Sequence, residues 1–127
     1  MNVFDSSAVL ALVFNEPGAD LATRLMDADD ALISSVNQAE VLGKLHDTGM
    51  PADEAAMVWR QLPLKVVPFS TEHAQLAGRL RPGTRALGLS LGDRCCLALA
   101  QATPGATVVT ADRPWATLPD FNITLIR

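Results

Sequence analysis

Five short apolar runs alternate with longer stretches of helical periodicity, and that alternation leaves the chain few architectures. The runs are Asn2–Asp5, Ala31–Ser34, Lys65–Phe69, Ala106–Thr110 and Asn122–Ile126. Each is too short for a helix and apolar enough to be covered on both faces. Strands that alternate with helices predict an α/β fold: a roughly five-stranded, mostly parallel sheet with helices on both faces. Pro68 places the third run at a sheet edge, since proline cannot donate to a ladder on both sides. A length of 127 residues suits one domain spanning residues 1–127.

The intervening segments carry their own start and stop signals. Ser6-Ser7 opens a first helix over Ala8–Phe14, closed by Asn15-Glu16-Pro17-Gly18. A second helix runs from Ala19 to Asp27. Ser35 is expected to cap a third, from Val36 to Asp47, with Val41, Leu42 and Leu45 inward and Glu40 at the border of that face. Pro51 opens a fourth, packed through Met57, Val58 and Leu62, and Ser70 opens a fifth. Arg81-Pro82-Gly83-Thr84-Arg85 reads as a loop. A helix starting near Ser90 follows, with one charge in line with its apolar side: Asp93 shares a face with Cys96, Leu97 and Ala100. Asp93 can close a capping box with Ser90, or it can belong to a cluster of acids.

Composition narrows the classes. The chain is 49% hydrophobic and can bury a sizeable core. No apolar run reaches the roughly 18 residues of a membrane helix, and no basic stretch precedes an apolar one at the start, so the expected setting is the cytoplasm, away from membranes. Cys95 and Cys96 are neighbours in a helical pattern and point too far apart to bridge easily; they read as small core residues. A net charge of −4 argues mildly against a nucleic-acid binder, unless a catalytic cluster of acids distorts the count.

Such a cluster is what the strand ends suggest. In parallel sheets ligands bind beyond the carboxyl ends of the strands, where strand order reverses. Asp5 closes the first strand and Asp112 follows the fourth; Glu40 and Asp93 lie in flanking helices. Each has a purely structural alternative: a helix cap for Asp5, an i,i+4 pair with Lys44 for Glu40, the capping box for Asp93 and an Asx-turn before Pro114 for Asp112. Together they fit chemistry better. Two like charges about 4 Å apart repel by about 4 kcal/mol at an effective dielectric near 20, so such a group needs cations or raised pKa values. Oxygen ligands without a neighbouring histidine favour Mg²⁺ or Mn²⁺ over zinc. His46 and His73 have no partner at metal spacing and read as structural. Trp59 reads as packing, and Trp115 as a wedge under the turn after Asp112. Arg79, Arg81, Arg85, Arg94 and Arg113 can be solvated surface or a basic rim for RNA phosphates.

At Val3-Phe4-Asp5-Ser6-Ser7, at Glu40, at Leu89-Ser-Leu-Gly-Asp93-Arg-Cys-Cys-Leu-Ala-Leu-Ala and at Thr110-Ala-Asp112-Arg-Pro-Trp115, the chain resembles the PIN-domain ribonucleases. More closely, it resembles the toxins of VapBC-type toxin–antitoxin pairs. The resemblance runs the whole length of the chain, with the acids in order. It implies a five-stranded parallel sheet and an endoribonuclease dependent on Mg²⁺ or Mn²⁺. It carries Asp5, Glu40, Asp93 and Asp112 over as the metal site, with Asp5 and Asp93 as the most direct ligands and Ser6 and Thr110 orienting carboxylates or water. It also implies an RNA substrate, a homodimer, and a small VapB-like antitoxin whose tail wraps the toxin and sets a basic side chain among the acids. Two rivals are a receiver-like signalling module and a PIN-fold module that binds RNA without cutting it. The first wants a lysine after a late strand, and Val108-Val109-Thr110-Ala111-Asp112 has none. The second is disfavoured by an intact set of acids.

Overall fold

A computed structural model describes all of residues 1–127. The strands are β1 (Asn2–Phe4), β2 (Ala31–Ser34), β3 (Lys65–Val67), β4 (Thr107–Thr110) and β5 (Asn122–Leu125). They form one sheet in the order β3-β2-β1-β4-β5, every pair parallel. β3 lies at an edge, where Pro68 just beyond it leaves no ladder bond unmade. The helices are α1 (Ser6–Val13), α2 (Ala19–Ala28), α3 (Ser35–Asp47), α4 (Ala52–Arg60), α5 (Thr71–Arg79), α6 (Arg81–Thr84) and α7 (Leu91–Gln101).

The central strands β1, β2 and β4 carry consecutive buried apolar residues because each feeds two cores. Successive side chains of a strand point to opposite faces. Phe4, Ile33 and Val109 therefore join α1 and α2 in one core, with Ala8, Val9, Ala22 and Met26. Val3, Leu32 and Val108 join α7 in the other, with Leu97, Ala100 and the buried Trp115. Cys95 and Cys96 are buried free thiols, as small core residues should be. No helix is long and apolar enough to cross a membrane.

Several local expectations change. The cap of α3 is Ser34, whose hydroxyl accepts from Val36 N; Ser35 instead accepts from Phe69 N at 3.0 Å and ties the end of β3 to α3. The strand turns straight into the helix, so its last residue is already the cap. Met57 does not pack inward: it is 55% exposed, and Ala55 takes the buried position of α4, with Trp59 against the core. Residues 81–85 form not an open loop but the short helix α6 and the start of a 3-10 turn over Arg85–Leu87. Pro82 is compatible with a helical first turn, and the Thr84 hydroxyl donates to Leu80 O at 2.7 Å.

Gly18 joins the α1–α2 connection to the last strand. Its φ is +95°, and a Cβ placed there would stand 2.5 Å from the Ile126 carbonyl oxygen. Gly18→Ala therefore meets both a left-handed backbone and a backbone clash, neither of which a side chain can relieve. We expect a loss of at least about 1–2 kcal/mol, from the left-handed term alone, read as a lowered midpoint in urea unfolding.

Candidate active site

β1 and β4 pair in parallel with Phe4 opposite Val109. The chain leaves β1 towards β2 on one side and returns to β4 on the other, so the strand order reverses between β1 and β4. The residues just past their carboxyl ends, Asp5 and Thr110-Ala111-Asp112, meet at this switch point.

Asp5 is the floor of the site, only 2% exposed. Its side chain does not cap α1. Instead its Oδ2 accepts from the Ser7 hydroxyl at 2.6 Å and from the Thr110 hydroxyl at 3.0 Å. The Ser7 oxygen in turn accepts from Ala111 N at 2.9 Å, and the Thr110 oxygen from Asp112 N at 3.1 Å. A hydroxyl has one proton to give; both are spent on Asp5, so the 3.2 Å approach of Ser7 to Thr110 carries none. Two backbone amides thus act on one carboxylate oxygen through two hydroxyls. The other oxygen, Oδ1, accepts nothing from the protein.

Burial pushes the Asp5 pKa up to about 7; the Ser7 hydrogen bond opposes the rise, and the charges of Asp112 and Asp93 add to it. Asp112, partly exposed, is also raised, first by burial and then by Asp93, with Arg127 opposing. Asp5, Asp93 and Asp112 are therefore within electrostatic reach of one another. Beneath them Cys96 is fully buried, and its thiol is pushed well above its usual range by burial and then by Asp5, Asp93 and Glu40. One small core side chain senses three of the four acids.

Asp93 does not lie in the core, as its helical register suggested. It stands partly exposed in the first turn of α7, where a capping box is fully formed: Ser90 N donates to Asp93 Oδ2 at 2.9 Å and Asp93 N to the Ser90 hydroxyl at 3.2 Å. The two readings of Asp93 are not exclusive, because the box occupies one carboxylate oxygen and holds the other in place.

Glu40 is exposed on α3. It forms no pair with Lys44; the salt bridges of the chain are Met1 amino group to Asp29 and Arg127 to Glu16. Its Oε1 accepts from the Ser6 hydroxyl at 2.6 Å and from Asn37 Nδ2 at 2.7 Å. Ser6 and Thr110 thus both bond carboxylates. Arg113 is exposed and directly follows Asp112; Arg79 at the end of α5, Arg81 in α6 and Arg85 after it are exposed as well. Arg94 is not on that rim: it is partly buried and its Nη1 donates to Ala77 O of α5 at 3.0 Å. Asp112 makes no side-chain cap at the 3-10 turn Arg113–Thr117 that follows it.

Ser7, Asn37 and Gly92 do not stand out in the sequence as site residues. Asn37 lies one helical turn before Glu40 and Gly92 directly before Asp93, so position relative to an acid was the available signal. The four acids are gathered but not closed around one point: no three His, Cys, Asp or Glu side chains stand at ligating spacing. The largest cavity, about 660 Å³, lies at the other ends of the strands, near Met1, Asp29 and Lys65. For a hard cation the donor set fits: oxygen atoms only, carboxylate oxygens without a protein donor, Asp5 Oδ1 among them, and like charge that adds to the raised pKa of Asp5 and Asp112.

The chain is similar in fold to chains of three solved complexes. A toxin–antitoxin complex from Klebsiella pneumoniae matches with a TM-score of 0.80 at 19% identity, over 100% of this chain and 98% of that one. DNA-bound VapBC from Salmonella typhimurium matches at 0.75 and 19%, over 99% and 98%. VapBC2 from Rickettsia felis, bound to a DNA fragment from its promoter, matches at 0.74 and 18%, over 98% and 97%. A search of curated proteins finds no match. The model of the PIN domain family matches residues 3–120, nearly the whole chain, and this protein belongs to that family.

Proposed function

We propose that this protein is an endoribonuclease dependent on Mg²⁺ or Mn²⁺ and the toxin of a toxin–antitoxin pair. The observation that carries the reading is the state of Asp5: buried at the switch point, pushed up to about 7, and coupled to Asp93 and Asp112. No cation pairs with this buried carboxylate: two hydroxyls hold its Oδ2, and Asp112 and Asp93 act on it with like charge. Asp5, Asp93, Asp112 and Glu40 are the residues that would hold the metal. Bound there, Mg²⁺ or Mn²⁺ supplies positive charge to a phosphodiester and acidifies a water.

The chain's own residues do the rest. Ser7 and Thr110 fix Asp5 through Oδ2, leaving Oδ1 for the site. The Ser90 cap holds Asp93. Glu40, outermost and held by Ser6 and Asn37, is the acid positioned to take the proton of an attacking water. The exposed Arg79, Arg81, Arg85 and Arg113 supply contacts to RNA phosphates, which lets an acidic protein hold a polyanion. Water adds across one P–O bond, leaving a phosphate on one product and a hydroxyl on the other. The fold it shares with chains of toxin–antitoxin complexes supports a VapB-like antitoxin as partner, and the family resemblance supports a homodimer acting in the cytoplasm.

The test is cleavage of RNA by the purified chain. EDTA should abolish it, and Mg²⁺ or Mn²⁺ should restore it. Undiminished cleavage in excess chelator would sink the metal mechanism; none under any metal would sink the nuclease.

A further inference from the structure

Glu40 is an exposed side chain on a helix surface, where a glutamate normally samples many rotamers, yet its carboxylate sits in a made place. Asn37, one turn earlier on α3, is completely buried and builds it. One Nδ2 proton goes to Glu40 Oε1 at 2.7 Å; the other goes to the main-chain oxygen of Gly92 on α7 at 3.0 Å. The opposite orientation of the amide would aim its oxygen at a carboxylate and a carbonyl, so the partners determine it. Ser6, from α1, completes the place: its hydroxyl donates to Glu40 Oε1 and lies 3.4 Å from the Asn37 carbonyl oxygen. Three helices therefore meet at one carboxylate.

The arrangement has a cost. Asn37 Oδ1 is buried and finds no partner. Two donated bonds, one of them to a carboxylate, are set against one unmet buried acceptor; these are opposing terms of comparable size, so the net contribution of Asn37 to stability is small. Nor does it cap α3, since Ser34 does that. What the amide does supply is a fixed distance between two catalytic elements. It ties the residue that carries Glu40's turn to the residue that directly precedes Asp93.

We propose that Asn37 is a positioning residue: it holds Glu40 in register with Asp93 by bonding the Glu40 carboxylate and the Gly92 carbonyl at once. The inference rests on the nuclease reading of the site. It differs from that reading in what it requires, namely that Asn37 act only through Glu40. Groups that orient metal-binding or catalytic carboxylates typically matter by about 10–100-fold in affinity or activity.

The experiment is a double-mutant cycle on the full chain with two readouts, RNA cleavage and Mn²⁺ binding by calorimetry. The variants are Asn37→Leu, Glu40→Gln and the pair, with Asn37→Ser as a second substitution should leucine fail to fold. We expect Asn37→Leu to retain the wild-type circular dichroism and a cooperative unfolding transition, while cleavage and Mn²⁺ affinity each fall about 10-fold or more. In the Glu40→Gln background the Asn37 substitution should cost nothing further in either readout. Losses that multiply independently would overturn the proposal, as would wild-type cleavage and Mn²⁺ affinity in a folded Asn37 variant. A wild-type chain that binds Mn²⁺ but cuts no RNA would overturn the nuclease reading alone, and the cycle would still be decided on Mn²⁺ affinity. A wild-type chain that does neither overturns both.

Discussion

Asp5→Asn should abolish cleavage and, in the metal-free protein at pH 8, raise stability. The native carboxyl titrates at about 7 against 3.8 for an unperturbed one. Between those values the folded protein binds more protons than the unfolded chain. The stabilising contribution of protonated Asp5 is thus complete below about pH 4 and is lost as pH rises through 7. The difference between 3.8 and about 7 corresponds to on the order of 4 kcal/mol between those limits. Asparagine keeps the volume and an oxygen that can accept from Ser7 and Thr110, but it carries no charge and does not titrate. The melting temperature of wild type in EDTA should therefore fall from pH 5 to pH 8 more steeply than that of the variant. Mg²⁺ at pH 8 should raise wild type and leave the variant nearly unmoved, because a ligand stabilises only the state that binds it. Parallel pH profiles for the two proteins would mean that Asp5 is an ordinary solvated carboxylate.

This behaviour was half legible in the sequence. The apolar runs gave away the strands and their coverage on both faces, since a short run with no polar side needs a neighbour on each of its faces. The place of Asp5 followed once β1 and β4 were neighbours, which strand order decides and local sequence does not. Its hydroxyl partners were less visible. Ser7 looks like part of a helix start, and only the crossing of β4 behind it turns its proton towards Asp5. Register misled in one case: helical spacing put Asp93 among core residues, but in the first turn of α7 the capping box turns its carboxylate back to Ser90 N and leaves it partly exposed. The loop reading of residues 81–85 failed because Pro82 and Gly83 are tolerated in a single helical turn that packs through Thr84. Arg94 shows the limit of counting charges, since proximity in sequence to Asp93 said nothing of the carbonyl that captures it.

Gly92 offers the sharpest separation of function from stability. A Cβ there would stand 2.7 Å from Glu40 Cδ and closer still to one of its oxygens. By itself Gly→Ala inside a helix is favourable by about 1 kcal/mol, and Gly92 has no left-handed backbone to protect. The atoms in the way are the end of a flexible, exposed side chain, which can swing out to water but gives up its bonds to Ser6 and the buried Asn37 amide, a loss of about 1–3 kcal/mol that the helix gain offsets in part. Gly92→Ala should therefore stay folded with a stability within about 2 kcal/mol of wild type, while Glu40 loses its seat against α7. Cleavage should drop about as far as in Glu40→Gln, by about 10-fold or more if Glu40 is placed as described. The substitution removes no carboxylate and no hydroxyl, so the effect cannot come from a lost charge or proton carrier. Cleavage kinetics and thermal unfolding on the same preparation decide it. A stable variant with wild-type activity would show that Glu40 works from more than one position, and a larger loss of stability that the space beside Gly92 belongs to the packing of α3 on α7.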